Sequence, residues 1–149
     1  MNSSILKKLS LPIITLIIAW LGGLSTQYTD WSWYEALNKP FFNPPNFIFG
    51  IVWPILYVFI AVVSYLNAQN IFKLYLMQIV FNGLWSWLFF VFNSTAFAFL
   101  DIVLLIFLNV LIVKKLRASK AWLSVLLYVP YVIWICFASI LNLAIIVLN

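Results

Sequence analysis

Aromatic and amide side chains recur at helical spacing in three apolar stretches of this chain. The three sets are Trp53 and Tyr57; Gln78, Asn82, Trp85, Ser86 and Phe89; and Tyr131, Trp134, Ala138 and Asn142. Steps of three and four residues place each set on one face of a helix, at ~100° per residue. Amide groups are costly against lipid, so these faces are predicted to point towards each other inside a helical bundle.

Two interpretations of these inward faces remain open. Taken singly, Asn82, Asn109 and Asn142 are explained at least as well by hydrogen bonds between helices, worth ~0.5–2 kcal/mol each. The combined tryptophan and tyrosine rings of the three sets instead favour a cavity. A cavity of that composition suits a flat, largely apolar ligand with a few polar edges, such as a tetrapyrrole or a sterol-like molecule.

Ordinary enzyme chemistry lacks its usual side chains here. The sequence has no histidine, one cysteine and three acidic residues, so acid–base turnover, zinc binding and catalytic triads are not expected, and no metal site is predicted. Asp101 has two interpretations: it accepts hydrogen bonds near a helix N-terminus, or it is a proton or cation site.

The composition predicts an integral membrane protein. Hydrophobic residues make up 66% of the chain and charged residues 7%, whereas roughly a quarter of the residues are charged in a soluble domain. The net charge of +5 does not indicate nucleic-acid binding, because the basic residues lie between apolar segments. The partner expected from composition is therefore the lipid bilayer.

The fold class predicted is all-α, a single domain forming a bundle of five transmembrane helices. A membrane span needs roughly 20 helical residues, which places the spans at about 9–27, 47–67, 72–92, 96–116 and 121–148. The first is expected to be a retained helix and not a cleaved signal peptide. Seven of the eight basic residues then fall on one side, which predicts a cytoplasmic N-terminus and an external loop one.

Loop one, about 28–46, is the one long segment that mixes charge, proline and aromatic rings. It contains Asp30, Glu35 and Lys39 together with Pro40, Pro44 and Pro45. A stretch of this kind cannot continue a helix through lipid. We therefore expect it to form the rim or lid of the cavity.

Motifs in four parts of the chain occur together. They are Trp33-Tyr34, Leu37, Lys39-Pro40, Phe42, Pro44-Pro45, Val52-Trp53 and Leu56-Tyr57; Asn82-Gly83, Trp85-Ser86 and Phe89-Phe90; Asp101; and Pro130-Tyr131, Trp134, Phe137-Ala138 and Leu141-Asn142. Together they resemble the signature of the TspO/MBR family, the tryptophan-rich sensory and translocator proteins. The resemblance covers nearly the whole chain.

The resemblance implies a five-helix bundle, commonly a homodimer, whose ligand pocket is closed by loop one. It implies porphyrins such as protoporphyrin IX and haem as ligands, besides synthetic isoquinoline and benzodiazepine-type compounds, and no obligatory cofactor. Carried onto this chain, the pocket residues are Trp53, Asn82, Phe89, Trp134 and Ala138, with Tyr34, Pro44 and Phe49 at the lid and rim. The family's proposed light-driven porphyrin breakdown falls on Trp53 and Trp134, the candidates for a catalytic role.

Three functions are weighed. The first is porphyrin binding for tetrapyrrole sensing, transport or photo-oxidative disposal, and its ligand-binding set adds Tyr57, Trp85 and Tyr131 to the residues implied by the resemblance. The second is a small proton- or cation-coupled transporter that uses Asp101, and the third is a structural or adaptor membrane protein. The short tails fit a bacterial cell-membrane protein.

Overall fold

The computed structural model describes residues 3–149, and this range is helical apart from short connections. The helices are α1 (Ser3–Ser25), α2 (Trp31–Ala36), α3 (Asn46–Ser86), α4 (Thr95–Ala118) and α5 (Trp122–Leu148). A π-helical turn, Trp87–Val91, directly continues α3. The prediction of an all-α chain is confirmed.

Helix α3 is folded back on itself. The hydroxyl of Tyr57 lies 2.6 Å from Oδ1 of Asn82, although 25 residues of straight helix would separate them by ~37 Å. The bend is at Asn67, the residue with non-helical φ and ψ of −119° and 16°. The Asn67 amide donates to the Val63 carbonyl at 2.9 Å and to the Ser124 hydroxyl at 2.7 Å. The chain therefore reverses at Asn67, just before the turn expected at 68–71.

Four helices of the described residues are long and apolar enough to cross a membrane: α1, α3 with its π-helical turn, α4 and α5. Because α3 consists of a first arm (46–66) and a second arm (68–86), the bundle contains five long helical rods. Each arm is about the length that one bilayer crossing requires. These lengths support a multi-pass integral membrane protein.

Helix α1 packs against the second arm of α3. A Cβ added to Gly83 would lie 2.8 Å from Cγ2 of Ile18, so the glycine allows the two helices to approach closely. Thr15 and Tyr75 share a 2.7 Å hydrogen bond at the same interface. These contacts fix α1 against the second arm of α3, while Ile13, Ile17 and Trp20 are exposed on the outer side of α1.

Candidate ligand cavity

A cavity of about 670 Å³ lies between α1, α2 and the two arms of α3. Its volume is within the ~300–1,000 Å³ of typical small-molecule sites. The lining residues come from α1 (Leu16, Ala19, Gly22, Gly23, Thr26), α2 (Trp31, Tyr34), the first arm (Asn46, Phe49, Gly50, Trp53, Pro54, Tyr57, Val58) and the second arm with the π-helical turn (Asn82, Trp85, Ser86, Phe90). Leu16 and Val58 are also more than half exposed on the outer surface, so the cavity opens sideways between α1 and α3.

The cavity walls are mainly aromatic. Trp53 and Tyr57 are one helical turn apart, with ring centroids 5.6 Å from each other. On the opposite side of the cavity, the rings of Trp85 in the second arm and Phe90 in the π-helical turn meet edge to face, with centroids 6.0 Å apart. Rings of this kind offer large apolar faces with few conformations to lose on binding. The walls therefore suit a flat ligand that stacks on or slides between rings.

Asn82 is the polar centre of the cavity wall. Its Oδ1 accepts from the Tyr57 hydroxyl at 2.6 Å, and its Nδ2 donates to the Tyr131 hydroxyl at 2.9 Å. Tyr131 in turn donates to Oε1 of Gln78 at 2.8 Å. Because both ends of the amide are bonded, Asn82 and Tyr57 are held in fixed orientations at the cavity surface.

Asn109 and Asn142 form hydrogen bonds between helices and do not line the cavity. Asn109 accepts from the Tyr128 hydroxyl at 2.6 Å. Asn142 accepts from the indole N–H of Trp85 at 3.2 Å and donates to the Thr95 carbonyl at 2.9 Å. The interhelical hydrogen bonds expected under the alternative interpretation of these amides are thus present. The Asn82 amide, in contrast, both bonds to side chains of other helical segments and lines the cavity.

The structure brings six of the eleven predicted ligand-binding residues to the cavity surface: Tyr34, Phe49, Trp53, Tyr57, Asn82 and Trp85. The other five lie elsewhere. Pro44 is in the connection before α3, Phe89 stacks on Trp85 at 5.5 Å in the core, and Ala138 is buried. Tyr131 and Trp134 contact residues that line the cavity. The ring centroid of Tyr131 lies 6.5 Å from that of Trp53, and the ring centroid of Trp134 lies 5.8 Å from that of Phe49. The ligand-binding role of all eleven stays a prediction.

Helix α1 contributes cavity residues that the aromatic pattern did not identify. A Cβ on Gly22 would lie 3.7 Å from the Tyr57 hydroxyl and 3.9 Å from Oγ of Ser86, and one on Gly23 would meet nothing within 4 Å. The adjacent pair of glycines was the available signal, since glycine lets a ligand approach the backbone. On their cavity side these two glycines leave space that any larger residue would occupy.

Helix α2 covers one end of the cavity as a short lid. Asp30 caps it: hydrogen bonds from the Ser32 hydroxyl and the Trp33 N–H hold the pKa of the Asp30 carboxyl below its usual value. Lys39 donates to the Tyr34 carbonyl at 2.6 Å and lies 4.4 Å from the centre of the Tyr34 ring. Burial raises the pKa of the Tyr34 phenol, and its hydroxyl donates to Oδ1 of Asn46 at 3.5 Å, at the start of α3.

Asp101 is buried in α4, away from the cavity. Within residues 3–149 neither of its carboxylate oxygens has a hydrogen-bond partner, so the helix-terminal bonds that one interpretation predicted are not seen. The same part of the chain contains no group of three histidine, cysteine or acidic residues that could hold a metal ion. Asp101 is therefore a buried carboxyl group without a hydrogen-bond partner among the described residues.

Comparison with known proteins places this geometry in context. The model of the TspO/MBR family matches residues 11–148. Tryptophan-rich protein TspO of Archaeoglobus fulgidus is 38% identical over 98% of this chain and 99% of its own length. Protein CrtK of Rhodobacter capsulatus is 35% identical over 88% of this chain and 87% of its own. Translocator protein of Ovis aries is 31% identical, with 86% and 83% covered.

Proposed function

Since the chain belongs to the TspO/MBR family of membrane proteins, we propose that its cavity binds a porphyrin such as protoporphyrin IX or haem. The observation that carries the proposal is the cavity of about 670 Å³ with Trp53, Tyr57 and Trp85 in its walls. A porphyrin is planar and largely apolar, so it suits these walls. Its charged propionates must reach water or polar groups at the edge of the cavity. The same walls suit isoquinoline and benzodiazepine-type ligands.

The proposal includes an orientation in the membrane. Polar contacts at one end of the bundle join Ser4 to Gln69 and Asn70 to Ser119, and seven of the eight basic residues lie within five positions of one of these four. Asp30 and Glu35 belong to the segment at the other end. This distribution supports five crossings with the basic end in the cytoplasm and the lid outside. The membrane is proposed to be that of a bacterial cell. We further propose a homodimer.

Porphyrin binding in the cavity predicts a specific effect at Trp53. Replacing Trp53 by alanine removes an aromatic wall and should weaken protoporphyrin IX binding ~10-fold, about 1.4 kcal/mol. The measurement is quenching of tryptophan emission as protoporphyrin IX is titrated into protein in lipid nanodiscs. The matched control is Trp122→Ala, because Trp122 is exposed at the start of α5, outside the cavity.

Two results would contradict porphyrin binding in this cavity. One is quenching that rises linearly without saturation, as for a dye that merely partitions into lipid. The other is equal affinity in the wild type, Trp53→Ala and Trp122→Ala.

The role served by binding is proposed as tetrapyrrole sensing, transport or photo-oxidative disposal. For photochemistry, Trp53 lines the cavity together with Trp31 and Trp85, whereas Trp134 does not line it and its ring centroid lies 5.8 Å from that of Phe49.

A second candidate function, proton- or cation-coupled transport, is favoured by Asp101 alone. A buried carboxylate without a partner is costly when ionised, so it tends to exchange protons or attract a cation. Coupled transport predicts that porphyrin flux into reconstituted vesicles responds to a pH gradient in the wild type and not in Asp101→Asn. Flux with the same pH response in both proteins would exclude Asp101 as the coupling group.

A further inference from the structure

The lid helix α2 is too short to hold its position unaided. It spans six residues, whereas isolated helices below ~12 residues are marginal in water. Its aromatic residues rest on the π-helical turn, with Trp33 6.0 Å from Phe89 and Tyr34 5.7 Å from Phe90. Ring contacts at these distances attract α2 to the π-helical turn, but they do not fix its position along the turn. Something else must fix the end of α2 that leads into the connection to α3.

That end is fastened to α5, 111 positions away in the sequence. Oδ1 of Asn149 accepts from the backbone N–H of Asn38 at 2.9 Å, and Nδ2 of Asn149 donates to the Asn38 carbonyl at 3.1 Å. The Asn38 side chain donates to the Leu148 carbonyl at 3.3 Å. We call these three hydrogen bonds the Asn38–Asn149 clasp.

The clasp is specific for an amide at position 149. One side chain satisfies both the donor and the acceptor of the Asn38 backbone, as a neighbouring strand would. Asn149 is itself held, because its Nδ2 also donates to the Ile145 carbonyl at 2.8 Å in the last turn of α5. An aspartate could accept from Asn38 but could not donate, and an alanine could do neither. The clasp therefore fixes the position of the lid relative to the end of α5.

We propose that Asn149 is a positioning residue that holds α2 over the cavity and thereby sets how long a ligand stays bound. The clasp lies two positions after α2, whose Trp31 and Tyr34 line the cavity. Asn149 does not line the cavity, so its effect on a ligand passes through the lid. The effect on residence time rests on the proposed porphyrin binding, and the fastening of the lid does not.

The test compares Asn149→Ala with Asn70→Ala. Asn70 makes a similar exposed contact at the opposite end of the bundle, to the Ser119 hydroxyl at 3.3 Å and the Lys115 carbonyl at 3.5 Å. Hydrogen exchange of residues 31–38 is followed by mass spectrometry in nanodiscs without ligand. Release of preloaded protoporphyrin IX into excess vesicles is followed by fluorescence.

We expect Asn149→Ala to speed exchange in 31–38 and to raise the release rate about tenfold, as the loss of one or two partly exposed hydrogen bonds would do. Asn149→Asp should fall between alanine and the wild type, and Asn70→Ala should leave both readouts unchanged. Unchanged exchange in Asn149→Ala would overturn the clasp. Faster exchange with unchanged release would overturn its role in retention. If the wild type shows no saturable binding, porphyrin binding fails, and exchange alone decides whether Asn149 positions α2.

Discussion

Replacing Gly22 by phenylalanine is expected to weaken protoporphyrin IX binding ~100-fold, about 2.7 kcal/mol. Gly22 is buried in α1, and a Cβ there would already be in ordinary contact with Tyr57 and Ser86. The rest of a phenyl ring can extend only into the cavity, where it takes the volume that a planar ligand needs. Binding affinity in nanodiscs is the measurement, by the same emission titration.

Two controls separate loss of space from loss of folding. Gly22→Ala adds only the Cβ that the structure accommodates, so its affinity should stay within a few fold of the wild type. Ile17→Phe adds a ring on the exposed side of α1 and should bind normally. If Gly22→Phe remains helical, melts like Ile17→Phe and still binds with full affinity, the ligand does not occupy this cavity.

Replacing Asn82 by leucine is expected to produce the largest loss of stability, about 2–3 kcal/mol. The change removes the acceptor of the Tyr57 hydroxyl and the donor to Tyr131. Tyr131 keeps its bond to Gln78, but the Tyr57 hydroxyl is left without its partner inside the bundle. Thermal unfolding in detergent, followed by circular dichroism, measures the effect.

A double-mutant cycle with Tyr57→Phe tests the cause of this loss. When both partners are removed, no unsatisfied hydroxyl remains, so Asn82→Leu/Tyr57→Phe should be less destabilised than the sum of the two single variants. Strict additivity would mean that the 2.6 Å bond between Tyr57 and Asn82 contributes nothing. The loss in Asn82→Leu would then reflect packing.

The part of the cavity formed by α3 could be predicted from sequence because helical periodicity fixes which residues share a face. Trp53 with Tyr57, and Asn82 with Trp85, were placed on inward faces and lie together in the cavity wall. Periodicity does not say how many side chains separate an inward face from a cavity. Trp134 and Tyr131 do not line the cavity, although their rings contact those of Phe49 and Trp53, which do.

Other features depend on contacts between distant segments and have no local signature. The reversal of α3 was predicted from length, but the residue at the bend, Asn67, donates a hydrogen bond to Ser124 in α5, a contact that the sequence does not show. The α1 side of the cavity is marked in the sequence mainly by Gly22 and Gly23, which indicate close approach to the backbone but do not say whether a helix or a ligand approaches. The Asn38–Asn149 clasp joins two asparagines that are 111 positions apart, and no sequence motif links them. Only the folded chain brings them together.

The most direct measurement is a crystal structure of the protein with haem, using the anomalous scattering of iron to locate the porphyrin. We expect one iron peak per chain between α1 and the first arm of α3, with the macrocycle in contact with the Trp53 ring and beneath Tyr34. An iron peak on the outer, lipid-facing surface, with the cavity between Gly22 and Trp53 empty of porphyrin density, would contradict the account.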